Sequence, residues 1–370
     1  MAKRMTVVQK VVKRSLLLAI VPISLLGIGA WQSMSWWNWA TAPSQAITST
    51  TDSPGEGKSV EIQIPQGTAA QQIGRDLEKA GLIRSSFAWN LWARYLSSQD
   101  PKGGFKSGTY ELSRSQSLKE IADTIWDGKV VQRSFTIPEG WNMRKMAAHF
   151  EKIGFFPAED FMAAAKQVNR QKFPWLPADL PHLEGFLYPD TYKVNSDTIT
   201  PKAIVNQMVE RFEQLALPEY QQAKSQTNLT LKQWVTLASI VEKESVVPTE
   251  RGRIAGVFTA RLRKGMKLEA DPTVEYAFNI TQTADKPLTF AQVKQKSPYN
   301  TYVTPGLPPT PIASPGLPSL KATLKPESTE YLFFVARYDG THVFSRTLKE
   351  HEAAVVAIRK QRQAKQKQSV

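Results

Sequence analysis

Hydrophobic and polar positions follow two periods along the chain after residue 58. Residues 60–64 (VEIQI) alternate apolar and polar side chains, as a half-buried strand does. Residues 85–96 instead place Phe87, Leu91 and Tyr95 at helical spacing. In chain order, the pattern predicts a strand at 60–64, helices at 68–83 and 85–96, a turn and strand at 105–112, a helix at 117–129 and a strand at 130–140. It therefore predicts a small α/β module over residues 58–133.

A second region, residues 134–356, is larger and more mixed. Its best helical pattern runs from Leu231 to Val246, with a capping box of Thr230 and Gln233 at its start. The region opens with a predicted amphipathic helix, NMRKMAAHFEKIGF. The later predicted elements are a helix at 250–264 with Gly265 as its cap, a turn holding Asp271 and Thr273, and a Pro-rich loop at 297–316. A hairpin of 331–336 and 341–344 and a last helix capped by Thr347 and Glu350 complete the region. The loop 183–192 (LEGFLYPDTY) carries aromatic residues and carboxylates.

The first 40 residues differ from the rest in charge. Residues 1–14 carry five basic residues and no acidic one, and residues 15–40 carry no charge. This uncharged run exceeds the ~20 residues that cross a bilayer core. Four tryptophans between 31 and 39 lie where an interfacial aromatic belt would be. The pattern predicts a single-pass transmembrane helix, with a cytoplasmic N-terminus and the remaining chain outside. A cleaved signal peptide is the alternative, since residues 40–43 (ATAP) resemble a cleavage site.

These patterns divide the chain into six predicted parts. They are a cytoplasmic basic tail (1–14), a transmembrane helix with its interface (15–40), a linker rich in Ser, Thr, Pro and Gly (41–57), the small module (58–133), a mixed α/β domain (134–356) and a solvated basic tail (357–370). The predicted fold class is α+β, with an N-terminal transmembrane helix before two folded regions.

Composition excludes several classes of site. The chain has no cysteine, so disulfides and Cys-based zinc sites are impossible. Its four histidines include no HExxH pair, and we expect neither a metal nor another cofactor. The net charge of +14 suits an anionic partner such as nucleic acid, phospholipid or an acidic polymer. Nucleic acid is disfavoured, because the folded regions are predicted to lie outside the membrane.

Two carboxylates close the helix that begins at Leu231. Residues 238–245 read ASIVEKES, and Glu242 and Glu244 lie about 160° apart on a helical wheel. Glu244 falls near the centre of the arc that holds Leu237 and Val241, whereas Glu242 falls far from it. A carboxyl group among apolar neighbours has a raised pKa and can act as a general acid. The alternative is that Glu244 lies beyond the last buried turn and is simply solvated.

Several long motifs occur in an order that resembles the endolytic murein transglycosylase (MltG, or YceG-like) family. They are LEGFLYPDTY, ASIVEKES, ERGRIAGVFTARLRKGMKLEADPTVEYA, SPYNTYVTPGLPPTPIASPG and, in the small module, FKSGTYEL. The resemblance covers about residues 58–355. It implies a LysM-like module followed by a catalytic domain, with Glu244 as the catalytic glutamate.

The resemblance also implies the reaction. Members of this family cleave the bond between N-acetylmuramic acid and N-acetylglucosamine in nascent glycan strands without water, which leaves 1,6-anhydro ends and stops strand growth. One carboxyl group is then enough, because the substrate's own C6 hydroxyl is the nucleophile. The implied location is the bacterial inner membrane, with the catalytic domain on its outer side and peptidoglycan synthases as possible partners.

Loop residues are weaker candidates for a saccharide groove. Aromatic faces suit sugar rings and amides suit N-acetyl groups, although each of these residues could equally cap a turn or pack a loop. The candidates are Glu184, Tyr188, Asp190, Asp271, Thr273, Tyr299, Asn300, Thr301 and Ser314.

Two competing functions stay open at the level of sequence. A non-catalytic scaffold would bind peptidoglycan through the small module, with Glu244 inert. A hydrolytic muramidase would need a second carboxylate to activate water, and Glu184, Asp190 and Asp271 are the candidates.

Overall fold

The computed structural model describes residues 31–45, 59–283, 286–337 and 339–368. Their contacts divide the chain into two units. Unit 1 holds the described residues up to Arg133 together with Val194–Thr198, and unit 2 holds Ser134–Lys193 and the described residues from Ile199 onward. The chain thus returns once to unit 1 after it has entered unit 2.

Unit 1 is built on one antiparallel strand pair. In this pair β1 (Ser59–Ile64) lies against β2 (Gly108–Ser113), with Val60 opposite Leu112 and Ile62 opposite Tyr110. Helices α1 (Ala70–Lys79), α2 (Ser86–Gln99) and α3 (Leu118–Asp127) complete the unit. These elements follow the predicted order, because strand alternation and helical spacing are both strong in this short stretch.

The contact between α1 and α2 depends on a glycine. Trp89 of α2 is fully buried, and its indole N–H donates to the carbonyl oxygen of Ala70 at 2.8 Å. A Cβ atom at Gly74 of α1 would lie 2.5 Å from Cδ1 of Trp89. Any side chain at position 74 would therefore displace the largest residue of this core.

The predicted transmembrane helix is not supported, and this part of the predicted fold class is wrong. Within the described residues, no helix is long and apolar enough to cross a membrane. Residues 31–41 are helical, and Trp37 and Ala40 pack against the core of unit 1. Residues 1–30, which include the basic tail and most of the predicted span, lie outside the described residues, as do residues 46–57 of the predicted linker and Lys58.

Unit 2 is mainly helical. Its helices are α4 (Met143–Lys152), α5 (Ala158–Lys166), α6 (Pro201–Leu215), α7 (Leu217–Ala223), α8 (Leu231–Glu244), α9 (Arg251–Arg263), α10 (Asp271–Phe278), α11 (Phe290–Lys294), α12 (Leu317–Leu324) and α13 (Leu348–Gln368). Strand β3 (Gln132–Thr136) pairs with β4 (Thr191–Asn195), and β5 (Phe333–Ala336) forms an antiparallel hairpin with β6 (His342–Ser345).

Helix α8 is the central element of unit 2. The predicted capping box is confirmed, with the Gln233 N–H donating to Oγ1 of Thr230 at 3.3 Å. Every residue from Trp234 to Val241 is buried, and the Trp234 indole donates to the carbonyl oxygen of Leu320 in α12 at 2.9 Å. The helix is therefore enclosed around its circumference rather than along one apolar stripe.

Two elements differ from the prediction. Asp271 and Thr273 were expected in a turn, but they begin helix α10, where Pro272 occupies the first turn. The basic tail expected from residue 357 is helical through Gln368, because α13 continues past the end of its apolar pattern. The hairpin of β5 and β6 and the cap formed by Thr347 and Glu350 are both as predicted.

Candidate active site

An open cleft of about 1060 Å³ lies in unit 2. The C-terminal end of α8 meets the first turn of α4, helix α10 and the β5–β6 hairpin around it. Its charged lining residues are Arg144, Lys145, Lys243, Glu244, Arg261, Glu269, Asp271, Glu275 and Arg359. A cleft of this volume and polarity suits a polar oligomeric ligand rather than a small apolar one.

Glu244 is the last residue of α8 and faces this cleft. The residue is half-buried, and its carboxyl group forms no hydrogen bond with any residue that the structure describes. Desolvation raises the pKa of Glu244 to about 8, and the charges of Asp271 and Glu275 contribute to this rise. Lys243 opposes it. Glu244 consequently holds a proton near neutral pH while it remains accessible from the cleft.

Asp271 is the second carboxylate of the cleft. It lies in the first turn of α10, where the helix dipole favours a negative charge. The Tyr302 hydroxyl donates to Oδ1 of Asp271 at 2.6 Å, and burial raises the pKa of Tyr302, so this phenol stays protonated. This hydrogen bond fixes the Asp271 carboxyl group at the wall of the cleft.

Glu275 lies one turn further along α10 and also lines the cleft. Its Oε1 accepts a hydrogen bond from the backbone N–H of Gln282 at 2.6 Å. This contact fixes the carboxylate at the edge of the cleft, where its charge acts on Glu244.

Glu242 has a different environment from Glu244. Its Oε2 accepts a hydrogen bond from the backbone N–H of Gly316, the N-cap residue of α12, at 3.1 Å. Burial raises the pKa of the neighbouring Glu139, and the charge of Glu242 raises it further. Glu242 therefore caps a helix and does not line the cleft. The helical wheel and the structure both place the two glutamates on different sides of α8. In the structure, the Glu242 side chain faces the backbone of Gly316 rather than solvent.

Glu184 lies under the wall of the cleft rather than in it. It is 2% exposed and accepts hydrogen bonds from the Met143 N–H at 3.0 Å and the Tyr276 hydroxyl at 3.0 Å. Desolvation raises the pKa of Glu184 to about 7, although these hydrogen bonds oppose the rise. Arg144 donates to the Tyr276 carbonyl at 2.7 Å and stacks 4.7 Å from its ring centroid. Glu184 thus links the start of α4 to the cleft-lining Tyr276.

Three other candidates are buried in polar contacts: Thr273 and Thr301 join the Pro-rich loop to α10, and Asn300 joins the same loop to the end of α11. Thr273 and Thr301 share a hydrogen bond of 2.9 Å between their hydroxyls, and the Ala270 N–H donates to Thr301 Oγ1 at 3.0 Å. Asn300 donates to the carbonyl oxygens of Val293 and Gln295. All three candidates are at most 1% exposed, so their contacts are with protein groups.

The remaining candidates also contact protein groups. Tyr299 shares a 2.8 Å hydrogen bond with Thr310, and Ser314 is fully buried with its backbone paired to residues 140 and 141. Tyr188 is buried, and Asp190 accepts from the Arg211 guanidinium at 2.6 Å. Of the nine loop candidates, Asp271 is the one that lines the cleft.

Several cleft residues were not anticipated from the sequence. Asn142 caps α4 through its side chain, which accepts from the Lys145 N–H at 2.9 Å. Tyr276 and Tyr302 supply aromatic walls. A signal was present for the tyrosines, because both lie within the motifs EADPTVEYA and SPYNTYV that were singled out. Nothing in the local pattern marked Arg144, since its role depends on the position of Tyr276.

Within the described residues, no group of three or more His, Asp, Glu or Cys side chains is placed to hold a metal ion. The polar side chains that line the cleft carry carboxyl, phenol, amide and cationic groups.

The fold and the cleft define an α+β protein in which a glutamate with a raised pKa faces an open polar cleft. The chain belongs to the YceG-like family, whose model matches residues 62–357.

Two endolytic murein transglycosylases are similar to this chain over most of its length. An endolytic murein transglycosylase of Bacillus subtilis (strain 168) is 31% identical over 308 residues, which is 80% of this chain and 83% of that protein. An endolytic murein transglycosylase of Streptococcus pneumoniae serotype 2 (strain D39) is 30% identical over 328 residues, 80% of this chain and 58% of that protein. The crystal structure of a YceG-like protein of Listeria monocytogenes matches with a TM-score of 0.55 and 29% identity, over 80% of this chain and 99% of that one.

Proposed function

We propose that this protein is an endolytic murein transglycosylase. It cleaves bonds between N-acetylmuramic acid and N-acetylglucosamine within glycan strands, leaves 1,6-anhydro ends and so terminates strand elongation. The observation that carries the proposal is the carboxyl group of Glu244, which holds a proton at neutral pH in an open polar cleft. The names of the relatives support the same activity.

One carboxyl group performs both proton transfers in this mechanism. Glu244 donates its proton to the glycosidic oxygen as the bond from that oxygen to C1 breaks, and the bonding electron pair leaves with the oxygen. The C6 hydroxyl of the same muramoyl residue then attacks C1 and gives its proton to the Glu244 carboxylate. The substrate is split without water, and Glu244 returns to its starting state.

Asp271 and Glu275 contribute through charge. As the glycosidic bond breaks, positive charge develops at C1 and the ring oxygen. Anionic side chains in the cleft favour this charge and also keep Glu244 protonated before the reaction. Helix α10 supplies both of them.

Hydrolysis is the second candidate reaction, and one observation favours it. Asp271 lines the same cleft as Glu244, and the Tyr302 hydroxyl fixes its carboxyl group there, so the cleft holds the second carboxyl group that a hydrolytic mechanism requires. Glu184 and Asp190, the other two candidates for that role, are bonded to protein groups away from the cleft.

Digestion of purified murein in water enriched in heavy oxygen separates the two reactions. A transglycosylase yields anhydro ends that are lighter than hydrolysed ends by one water and contain no heavy oxygen. A muramidase yields reducing ends that carry the label. Labelled reducing ends as the main product would contradict the proposal, and the absence of any new ends would favour a non-catalytic scaffold.

We further propose that the small module, residues 58–133, is LysM-like and positions glycan strands without a catalytic group of its own. Murein lies outside the cytoplasmic membrane, so the catalytic region would act there. An enzyme that ends growing strands would work beside peptidoglycan synthases, which makes them its expected protein partners.

A further inference from the structure

Strand β5 has an outer edge that its hairpin partner does not use. In an antiparallel pair, hydrogen-bonded positions alternate with positions whose N–H and C=O groups point away from the partner strand. Ala336 lies opposite His342, and one position further the Arg337 N–H donates to the Thr341 carbonyl oxygen at 2.8 Å. The backbone groups of Ala336, and of Phe334 two residues earlier, therefore point to the outer edge of β5.

Hydrogen bonds on β6 agree with this alternation and close the outer edge of that strand at His342. The His342 N–H donates to Oε1 of Glu250 at 3.1 Å. The His342 carbonyl oxygen accepts from the Arg337 guanidinium at 2.7 Å. Side chains of this protein therefore occupy the backbone groups that β6 turns away from β5 at this position.

The outer edge of β5 is closed at its first end only. There the Leu332 carbonyl oxygen accepts from Nε of Arg261 at 2.6 Å. Within the described residues, β5 pairs with β6 alone, and the backbone N–H and C=O groups of Phe334 and Ala336 have no hydrogen-bond partner. Unpaired groups along a strand edge are a template for another extended chain.

This open edge borders the cleft that holds Glu244. Residues 334–336 all line the cleft, and consecutive residues of a strand point to opposite faces, so the edge between those faces borders the cleft too. Helix α13 adds Val355, Ile358 and Arg359 to the same lining. This part of the cleft therefore differs from the part around Glu244, which carries carboxyl groups.

Charge and polarity indicate what the open edge binds. Arg359 is exposed, and it has no ion-pair partner among the residues that the structure describes, so its guanidinium is available for a carboxylate. Val355 and Ile358 offer apolar surface for small side chains. A ligand with backbone amides, methyl groups and carboxylates fits this set, whereas a bare sugar chain has no row of amides to pair with a strand.

We propose that the open edge of β5 binds the peptide that murein carries on the lactyl group of its muramoyl residues. The peptide adds to β5 as a short extended strand, with its amides paired to Phe334 and Ala336 and a carboxylate on Arg359. This inference rests on the proposed function, since the muramoyl ring that is cleaved beside Glu244 brings its peptide into the same cleft. The cleft thus selects strands that still bear peptides over strands that have lost them.

The affinity for two kinds of strand tests the proposal. Uncrosslinked murein strands of matched length are used either with their peptides in place or after an amidase has removed them. Their dissociation constants are measured on the full-length Glu244→Gln protein, so that no strand is cleaved during the measurement. The measurement is repeated after a second substitution, which is Ala336→Pro, Ala336→Ser, Arg359→Gln or Lys360→Gln, and thermal melts check that each protein is folded.

The substitutions form two matched pairs. Ala336→Pro removes the outward N–H, and proline is tolerated where a strand N–H faces away from its partner strand. Ala336→Ser keeps that N–H and is the conservative counterpart. Lys360 is exposed and lies outside the cleft lining, so Lys360→Gln is the control for Arg359→Gln.

The proposal expects peptide-bearing strands to bind ~10-fold or more tightly than stripped strands, as two or more added hydrogen bonds would give. Ala336→Pro and Arg359→Gln should each reduce this ratio several-fold, whereas Ala336→Ser and Lys360→Gln should keep it. Equal affinity for the two kinds of strand, or a ratio that Ala336→Pro or Arg359→Gln leaves intact in a folded protein, would overturn the proposal. If Ala336→Pro does not fold, the comparison of Arg359→Gln with Lys360→Gln decides. Binding is measured without cleavage, so the digestion in heavy-oxygen water tests the proposed function separately.

Discussion

At the scale of single residues, the proposed mechanism depends on the protonation of Glu244. A general acid must carry its proton, and the pKa of Glu244 is raised to about 8. We therefore expect kcat/KM for murein cleavage to be maintained up to about pH 8 and to fall above it. A profile that falls already through the acidic range of an ordinary glutamate, or one with no alkaline decline, would contradict this assignment.

Two charge substitutions should move the alkaline limb of the pH profile, where kcat/KM falls, in opposite directions. Asp271→Asn removes a charge that raises the pKa of Glu244, so the limb should shift to lower pH. Lys243→Met removes a charge that lowers the same pKa, so the limb should shift to higher pH. The measurement is the pH dependence of kcat/KM for the wild type and both variants. Shifts in the same direction would mean that another group sets the limb.

The free energy of unfolding should also depend on whether Glu244 is protonated. The folded-state pKa of Glu244 lies above the ordinary value of 4.5, so the folded protein binds more protons and its free energy of unfolding falls as pH rises from 4.5 to about 8. Glutamine does not ionise, so the Glu244→Gln variant should not lose stability in this way as the pH rises. Denaturant unfolding should show that the variant is more stable than wild type above pH 8, by a few kcal/mol at about 1.4 kcal/mol per pKa unit, and gains nothing near pH 4.

The exposed Glu352→Gln on α13 is the control for that comparison, because its side chain is solvated in the folded protein. A pH-independent difference between wild type and Glu244→Gln would show that the substitution changes packing rather than ionisation.

At the scale of elements, Glu184 holds two parts of the cleft wall together. Glu184→Ala would leave the Met143 N–H and the Tyr276 hydroxyl without their acceptor, at a cost of ~1–3 kcal/mol for each buried group. Glu184→Gln keeps an acceptor oxygen and should retain most of the stability. Unfolding by urea measures both variants. Equal stability of Glu184→Ala and wild type would contradict this structural role.

The elements with strong local signals were predictable from the sequence. Helix α8 has a capping box and a long apolar pattern, and Glu244 stood out because a carboxylate fell within that pattern. The sequence predicts a turn in place of helix α10, because the helix is short and begins with Asp271 and Pro272, which are also common in turns. Its eight residues give too little periodicity to distinguish the two.

The polar residues of the loops were harder to interpret. Thr273, Asn300, Thr301 and Ser314 looked like ligands for a sugar, but they are buried by a fold that the local sequence does not encode. The same limit applies to Phe87 and Tyr95, whose helical spacing predicts a buried face although Trp89 takes that place in the core. Spacing indicates which residues share a face, whereas tertiary packing decides which face is buried.

At the scale of the whole molecule, the proposal gives the small module and the catalytic region separate tasks. We expect that a chain without the module at residues 58–133 loses more activity on polymeric murein than on short soluble glycans, since positioning matters most for long strands. Turnover of both substrates, with melts to check that unit 2 stays folded, tests this. Equal loss on both substrates would favour a purely structural role for the module.

The central claim is that Glu244 does the chemistry and Glu242 does not. The most direct measurement is the release of anhydro-ended products from purified murein by the wild type, Glu244→Gln and Glu242→Gln, with thermal melts of all three. We predict that Glu244→Gln loses activity by ~10⁴-fold or more while staying folded, because one residue serves both proton transfers. Glu242→Gln should lose far less, since Glu242 caps α12 through Gly316. An inactive Glu242→Gln beside an active Glu244→Gln would contradict the account.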